Sequence, residues 1–235
     1  MDVVGDLVDR DRRSGAPALR APAVGREYDY RRFCTSVWKV GNFLRHLGVR
    51  SGAGVAVADD PLPEPVLTLY GAALLGAVVR VDPPTAPADD TRAVVVPESE
   101  LDTYGLGPST KPVVYGSRHD DPAVAYFERD VWSENPASPP DVVAPNDPLL
   151  RASGATYTHG DVIGAAATVV ERHDIGTDDA VAVATSLSSP GAVAAGLVAP
   201  VLAGATAVIG TEAGTDLVVG SPDDDVDAAA ILDGT

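Results

Sequence analysis

The sequence predicts an α/β protein made of two similar helix-strand-helix-strand halves on parallel sheets. Three observations point there. Amphipathic helical stretches alternate with four- or five-residue Val/Ala runs, and the alternating unit occurs twice in the same order. The apolar filling is aliphatic: hydrophobic residues make up 45% of the 235 residues and aromatics only 5%. Short aliphatic runs set between helices are the pattern of strands buried on both faces, and parallel strands need helical, right-handed crossovers.

Taken in order, the first element is a helix over about 30–47. Phe33, Val37, Val40, Phe43, Leu44 and Leu47 recur at three- and four-residue spacing, with Asp29 as N-cap and Gly48 as stop. Cys34 is expected off the face of Val37 and Val40, partly exposed. Gly54–Ala58 (GVAVA) reads as a buried strand. PLPEPVLTLYGAALLG comes next as a helix whose prolines suit its first turn; Gly76 ends it, and Val78–Val81 is the next strand. Ala93–Val96 and Pro112–Tyr115 are two further short strands. SENPASPPDVVAPNDP at 133–148 is too proline-rich for regular structure and reads as a linker. Beyond it the unit repeats: a helix over 160–173, AVAVA at 180–184 matching GVAVA, a helix PGAVAAGLVAPVLAG ending at Gly204, and a strand over 205–209. Gly176 is expected, with Gly48, Gly76 and Gly204, as a helix stop. Leu217–Val219 is a last strand, and SPDDDVDAAAILDGT one short helix at a free end. The resulting division is 1–132 as a first α/β subdomain with its core at 28–115, 133–148 as linker, and 149–235 as a second, incomplete subdomain.

Charge excludes some partners. With 34 acidic against 17 basic residues the net charge is −17, and Lys39 and Lys111 are the only lysines. Such a surface repels polyanions, so no nucleic-acid partner is expected. Aspartate-rich, lysine-poor surfaces resemble those of proteins from cells holding molar salt, where screening makes the repulsion tolerable. One cysteine precludes an intrachain disulfide, and no Cys/His spacing suggests zinc. No stretch has the roughly 18 uninterrupted apolar residues of a membrane span, and MDVVGDLVDRDRR is neither signal nor anchor, so a soluble, cytoplasmic protein is expected.

YDYRRFCTSVWKVGNFLRHLGVRSGAGVAVADDPLPEPVLTLYGAALLGAVVRVDPP resembles the opening of the acyl-adenylate-forming, AMP-forming synthetases, the group that includes acyl-CoA synthetases. YTHGDVIGAAATVVERHDIGTDDAVAVATSLSSPGAVAAGLVAPVLAGATAVI is similar to the segment downstream of that family's phosphate loop, so the resemblance covers about 28–82 and 145–210. It implies carboxylate activation with ATP, hence AMP, ATP or CoA as ligands. In ASGATYTH, residues Ser153, Gly154 and Thr156 match the start of the family's phosphate loop and Thr158-His159 its end. The intervening glycine, proline and lysine are absent. SLSSP at 186–190 stands where the family places an aromatic-His pair, and the later motifs have no counterpart. The resemblance therefore implies a truncated, degenerate pseudoenzyme with a binding or regulatory role, pairing with itself or with a full-length synthetase. The alternative is a small acyl-CoA synthetase-like ligase activating a carboxylate with ATP, alone or completed by a second chain.

Ser153, Gly154, Thr156, Thr158 and His159 are thus the candidate binding residues, as degenerate phosphate-loop flanks, with no catalytic residue and no metal ligand named. Each also has a plain structural reading. His159 would sit in a first helical turn, and Ser153 or Thr156 would cap the helix or hold a small anion at a strand-to-helix turn. Asp223–Asp225 reads as a solvated acidic run.

Overall fold

The computed structural model describes residues 1–232; the last three residues of the expected C-terminal helix lie outside the described residues. The chain opens with 3₁₀ turns at Val4–Val8 and Arg10–Arg12. An antiparallel hairpin comes next, Pro17–Ala21 (β1) and Arg26–Asp29 (β2), running into the helix Tyr30–His46 (α1). Asp29 caps α1 by accepting from the Arg32 N–H at 2.6 Å. Then come Gly54–Val57 (β3), Pro63–Ala73 (α2), Val78–Val81 (β4), Thr91–Pro97 (β5), Lys111–Tyr115 (β6), Ala125–Tyr126 (β7) and the short helix Phe127–Asp130 (α3).

The second half repeats this plan. Pro148–Ala152 (β8) and Ala155–Thr158 (β9) form a hairpin that runs into His159–His173 (α4), after which comes Ala180–Val183 (β10). A helix starts as Pro190–Ala192 (α5), widens into a π turn over Val193–Val198, and closes as Ala199–Ala203 (α6). Thr206–Ile209 (β11), Leu217–Gly220 (β12) and Val226–Asp227 (β13) complete the order.

Two sheets result, ordered β7-β6-β5-β3-β4-β8-β9 and β13-β12-β10-β11-β1-β2. Neighbours are parallel except within the two edge hairpins. The mixed α/β class with parallel-rich sheets is as the sequence predicts. Each half places its hairpin on the other half's sheet: β1 pairs with β11 (Leu19 opposite Ala207), and β8 with β4 (Leu150 opposite Val79). One hydrophobic core runs through both halves.

Packing between the halves explains local irregularities. Pro200 cannot donate a helical hydrogen bond and its ring crowds the preceding turn, so the helix widens there. In that stretch the Leu197 carbonyl accepts from the buried Tyr70 hydroxyl of α2 at 2.9 Å. Tyr70 also meets Phe33 of α1 edge to face, centroids 5.1 Å apart. Helices α1 and α2 cross so closely that a Cβ on Gly71 would come within 2.6 Å of Val40.

Several expectations need correction. Cys34 is fully buried, because a three-residue step places it on the same helical face as Val37. Burial pushes its thiol up to about 11. The C-terminal segment is not one helix: β13 and a single turn at Ala228–Ala230 take its place. Asp223 and Asp225 are exposed, as a solvated run would be, while three of the segment's aspartates also bind nearby backbone. Asp224 accepts from Ser221 N–H, Asp225 from Val218 N–H and Asp227 from Ala229 N–H, bonds that compete with helix formation. At the end of α4 it is Asp174, not Gly176, that takes the left-handed conformation, with φ 52°. The stretch 134–147 is irregular and lies along α1, where Asn42 Nδ2 donates to the Asn135 and Ala137 carbonyls.

Candidate functional site

Ligands in open α/β folds bind beyond the carboxyl ends of the parallel strands, where strand order reverses. Here the ends of β3, β10 and β11 enclose a crevice of about 460 Å³, lined by residues of both halves. β3 delivers Asp59 and Asp60, β10 delivers Thr185 and Ser186, and β11 delivers Gly210 and Thr211. The halves are tied across it: Leu187 N–H donates to Asp59 Oδ1 at 2.9 Å. Ser186 Oγ accepts from Ser188 N–H at 3.0 Å, which tightens the loop before α5.

Two polar pairs hold the segment that leads from β3 into α2. Tyr115 of β6 donates its hydroxyl to Asp60, and burial with that bond pushes the phenol far above its ordinary range. Glu64, in the first turn of α2, is 2% exposed and pairs with Arg26 of β2 at 2.5 Å. Burial still holds the Glu64 carboxyl above the usual carboxylate range; the Arg26 charge opposes that effect without cancelling it. This ion pair joins a strand of one sheet to a helix packed on the other. Two carboxylates and no cation line the crevice itself, so it suits hydroxyl-bearing, neutral or cationic groups better than phosphates.

The sequence-derived residues lie at the two ends of one hairpin. Ser153 and Gly154 are the two central residues of its turn, with φ of 50° and 82°. Positive φ at both positions marks the type I′ turn that joins twisted antiparallel strands, so this is a strand-to-strand turn, not a strand-to-helix one. Thr156 is exposed on β9. Thr158 caps α4: its Oγ1 accepts from Asp161 N–H at 3.1 Å, while Asp161 accepts from Thr158 N–H at 2.8 Å. Three residues of β9, 155–157, separate Gly154 from Thr158, so the two ends stand four steps or about 13 Å of extended chain apart.

His159 is fully buried. Its Nδ1 accepts from Val4 N–H at 3.2 Å, so the neutral ring carries its proton on Nε2, which is buried without a partner among the described residues. Burial lowers its pKa to about 4. A neutral, enclosed imidazole of this kind anchors the N-terminal segment and offers no charge to an anion.

Sequence periodicity does not find the crevice, because Asp59 and Leu187 come from opposite halves of the chain. One cue is present: DD at 59–60 and SLSS at 186–189 each come directly after the matching runs GVAVA and AVAVAT, the carboxyl ends of equivalent strands. Among the described residues no cluster of three or more His, Cys, Asp or Glu side chains is placed to hold a metal, and no helix is long and apolar enough to cross a membrane.

No protein-family model matches the sequence, and no curated protein is detectably similar to it. Solved structures do match. The anthranilate CoA ligase AuaEII in complex with anthranoyl-AMP superposes with a TM-score of 0.73 at 19% identity, over 90% of this chain and 45% of that one. The N-terminal domain of FACL13 from Mycobacterium tuberculosis gives 0.71 at 16%, over 90% and 58%. A fatty acyl CoA synthetase from the same organism gives 0.68 at 17%, over 90% and 46%. The chain spans about half the length of these structures. The likeness is one of fold: two parallel-rich sheets with helices, as in the N-terminal domains of AMP-forming CoA ligases.

Proposed function

We propose that this chain is a non-adenylating relative of the AMP-forming CoA ligases whose role is to bind a ligand or a partner in the crevice between its two sheets. The observation that carries this reading is the type I′ turn. Where the sequence resemblance places a glycine-, hydroxyl- and lysine-bearing phosphate loop, two residues join β8 directly to β9. A loop that curls around polyphosphate needs a row of backbone donors and a cation. A two-residue turn supplies neither. Lys39 of α1 donates to the Trp132 carbonyl, and Lys111 starts β6. With Asp59 and Asp60 at the crevice, triphosphate would meet negative charge in place of the missing donors, and each absent charge-assisted contact removes about 1.5–3 kcal/mol.

The test is ATP–pyrophosphate exchange in KCl from about 0.1 to about 3 M, with anthranilate and a fatty acid as carboxylates. No exchange above background is expected. Exchange with either acid would sink the reading. A thermal-shift series with AMP, CoA and ATP separates a binding role from an empty scaffold, because a ligand of the native state raises the melting temperature by mass action. With two carboxylates and no cation at the crevice the shifts should follow charge, AMP giving more than CoA or ATP.

A further inference from the structure

The first half carries a second cavity, of about 490 Å³, that shares no lining residue with the crevice. Arg13, Arg31, Arg32, Lys39 and Trp132 surround it, and Thr35 and Ser36 of α1 form its floor. In a chain of net charge −17, four cations around one cavity stand out. None of the four is in an ion pair among the described residues. The one carboxylate in the lining, Asp29, already accepts from the Arg32 N–H as the cap of α1.

The arrangement is built as well as charged. The Arg32 guanidinium lies 4.4 Å from the centroid of Tyr28 and donates to the Glu27 carbonyl. That of Arg13 lies 5.4 Å from Trp38, and its Nε is buried without a partner among the described residues. Lys39 donates to the Trp132 carbonyl at 2.6 Å and sits 5.9 Å from that ring, so it fixes the one aromatic wall. Trp132 is itself 38% exposed.

The internal repeat supplies a control. Helix α4 occupies the place of α1 in the second half, and a cavity of about 500 Å³ lies along the same positions of it. There Gly160 and Asp161 replace Arg31 and Arg32, Gly164 and Ala165 replace Thr35 and Ser36, and Thr168 replaces Lys39. The fold therefore makes the groove in both halves, with one cation, Arg172, lining the second against four in the first.

We infer that the α1 groove is a binding site for a small organic anion. A carboxylate or phosphate head meets Arg13, Arg31 and Arg32, and a flat apolar body lies against Trp132 and the arginine stems. Elsewhere the acidic surface repels such a ligand; here unpaired guanidinium groups and an aromatic face meet at small-molecule scale. The inference is independent of the proposed loss of adenylation.

Phenyl phosphate and benzoate test it, titrated against tryptophan fluorescence at the lowest KCl concentration that keeps the native far-UV spectrum. Inorganic phosphate and benzyl alcohol serve as probes carrying one feature each. At least one of the two-feature probes is expected to saturate, at least about tenfold tighter than either single-feature probe. Arg31→Gln/Arg32→Gln, both at exposed positions, should weaken it by about tenfold or more with the native far-UV spectrum retained, and Trp132→Ala should do the same. Thr168→Ala in the matching groove should leave it unaltered. No saturation below about 20 mM by either two-feature probe, equal affinity for inorganic phosphate, or undiminished binding in the double variant overturns the inference.

Discussion

At the residue scale the buried groups set the pH response. His159 titrates near 6.5 when unfolded and at about 4 in the native state. Between those values the unfolded chain binds a proton that the native chain refuses, so stability rises with pH through this window and falls on acidification. The two values differ enough to be worth about 3 kcal/mol, fully lost below the native pKa. His159→Asn retains an acceptor for Val4 N–H without a titrating ring. Urea unfolding at pH 7.5 and pH 5 should show a large drop in the parent and a much smaller one in this variant; equal drops would mean that other groups carry the response. A second buried group makes a purely structural contribution. Tyr70→Phe removes the hydroxyl's buried hydrogen bond to Leu197 O in the widened helix, at a cost of about 0.5–1.5 kcal/mol by urea unfolding. An unchanged midpoint would show that the π turn satisfies itself.

Elements differ in how well sequence reveals them, and the hairpins show why. Helices α1, α2 and α4 and strands β3, β4, β10 and β11 are legible, since their periodicity or their aliphatic runs are local signals. The edge hairpins β1-β2 and β8-β9 are not legible as strands. They are short, begin with proline and alternate weakly, and their partners lie far along the chain: β1 on β11, β8 on β4. A local cue exists in the repeat itself, where PALRA at 17–21 and PLLRA at 148–152 open equivalent hairpins. Aligning them turns ASGATYTH into strand, turn, strand and cap instead of a broken loop. Of the five residues singled out there, the geometry engages Thr158 as a cap and His159 in the core, while the crevice depends on Asp59, Asp60 and Ser186, whose meeting no local pattern encodes. The turn gives a prediction at this scale. Position 153 holds serine at φ 50°, where asparagine is better tolerated and Asn-Gly is the preferred type I′ pair. Ser153→Asn should raise stability by up to about 1 kcal/mol in urea unfolding, whereas a loss would mean that the native turn is of another kind.

For the whole molecule, charge distribution connects stability to binding. A net charge of −17 repels itself most in the compact state, and apart from the buried Arg26–Glu64 pair the ion pairs of Arg and the N-terminus among the described residues are exposed or half-exposed, each worth at most about 1 kcal/mol. Added salt screens both effects, and the repulsion is the larger. Screening shrinks from about 10 Å at 0.1 M to about 3 Å at 1 M, so the melting temperature should climb steeply with KCl below about 1 M and flatten above it. A gain that grows linearly to higher concentration would point to solute exclusion instead, and a flat or falling curve would refute the role of self-repulsion. The α1 groove behaves oppositely, because its four cations attract an anion through the same medium. Phenyl phosphate affinity should therefore weaken as KCl rises while the protein becomes more stable. Measured on one sample series, opposite slopes separate a local cationic site inside an acidic shell from a general response of the fold to salt, which would move both quantities together.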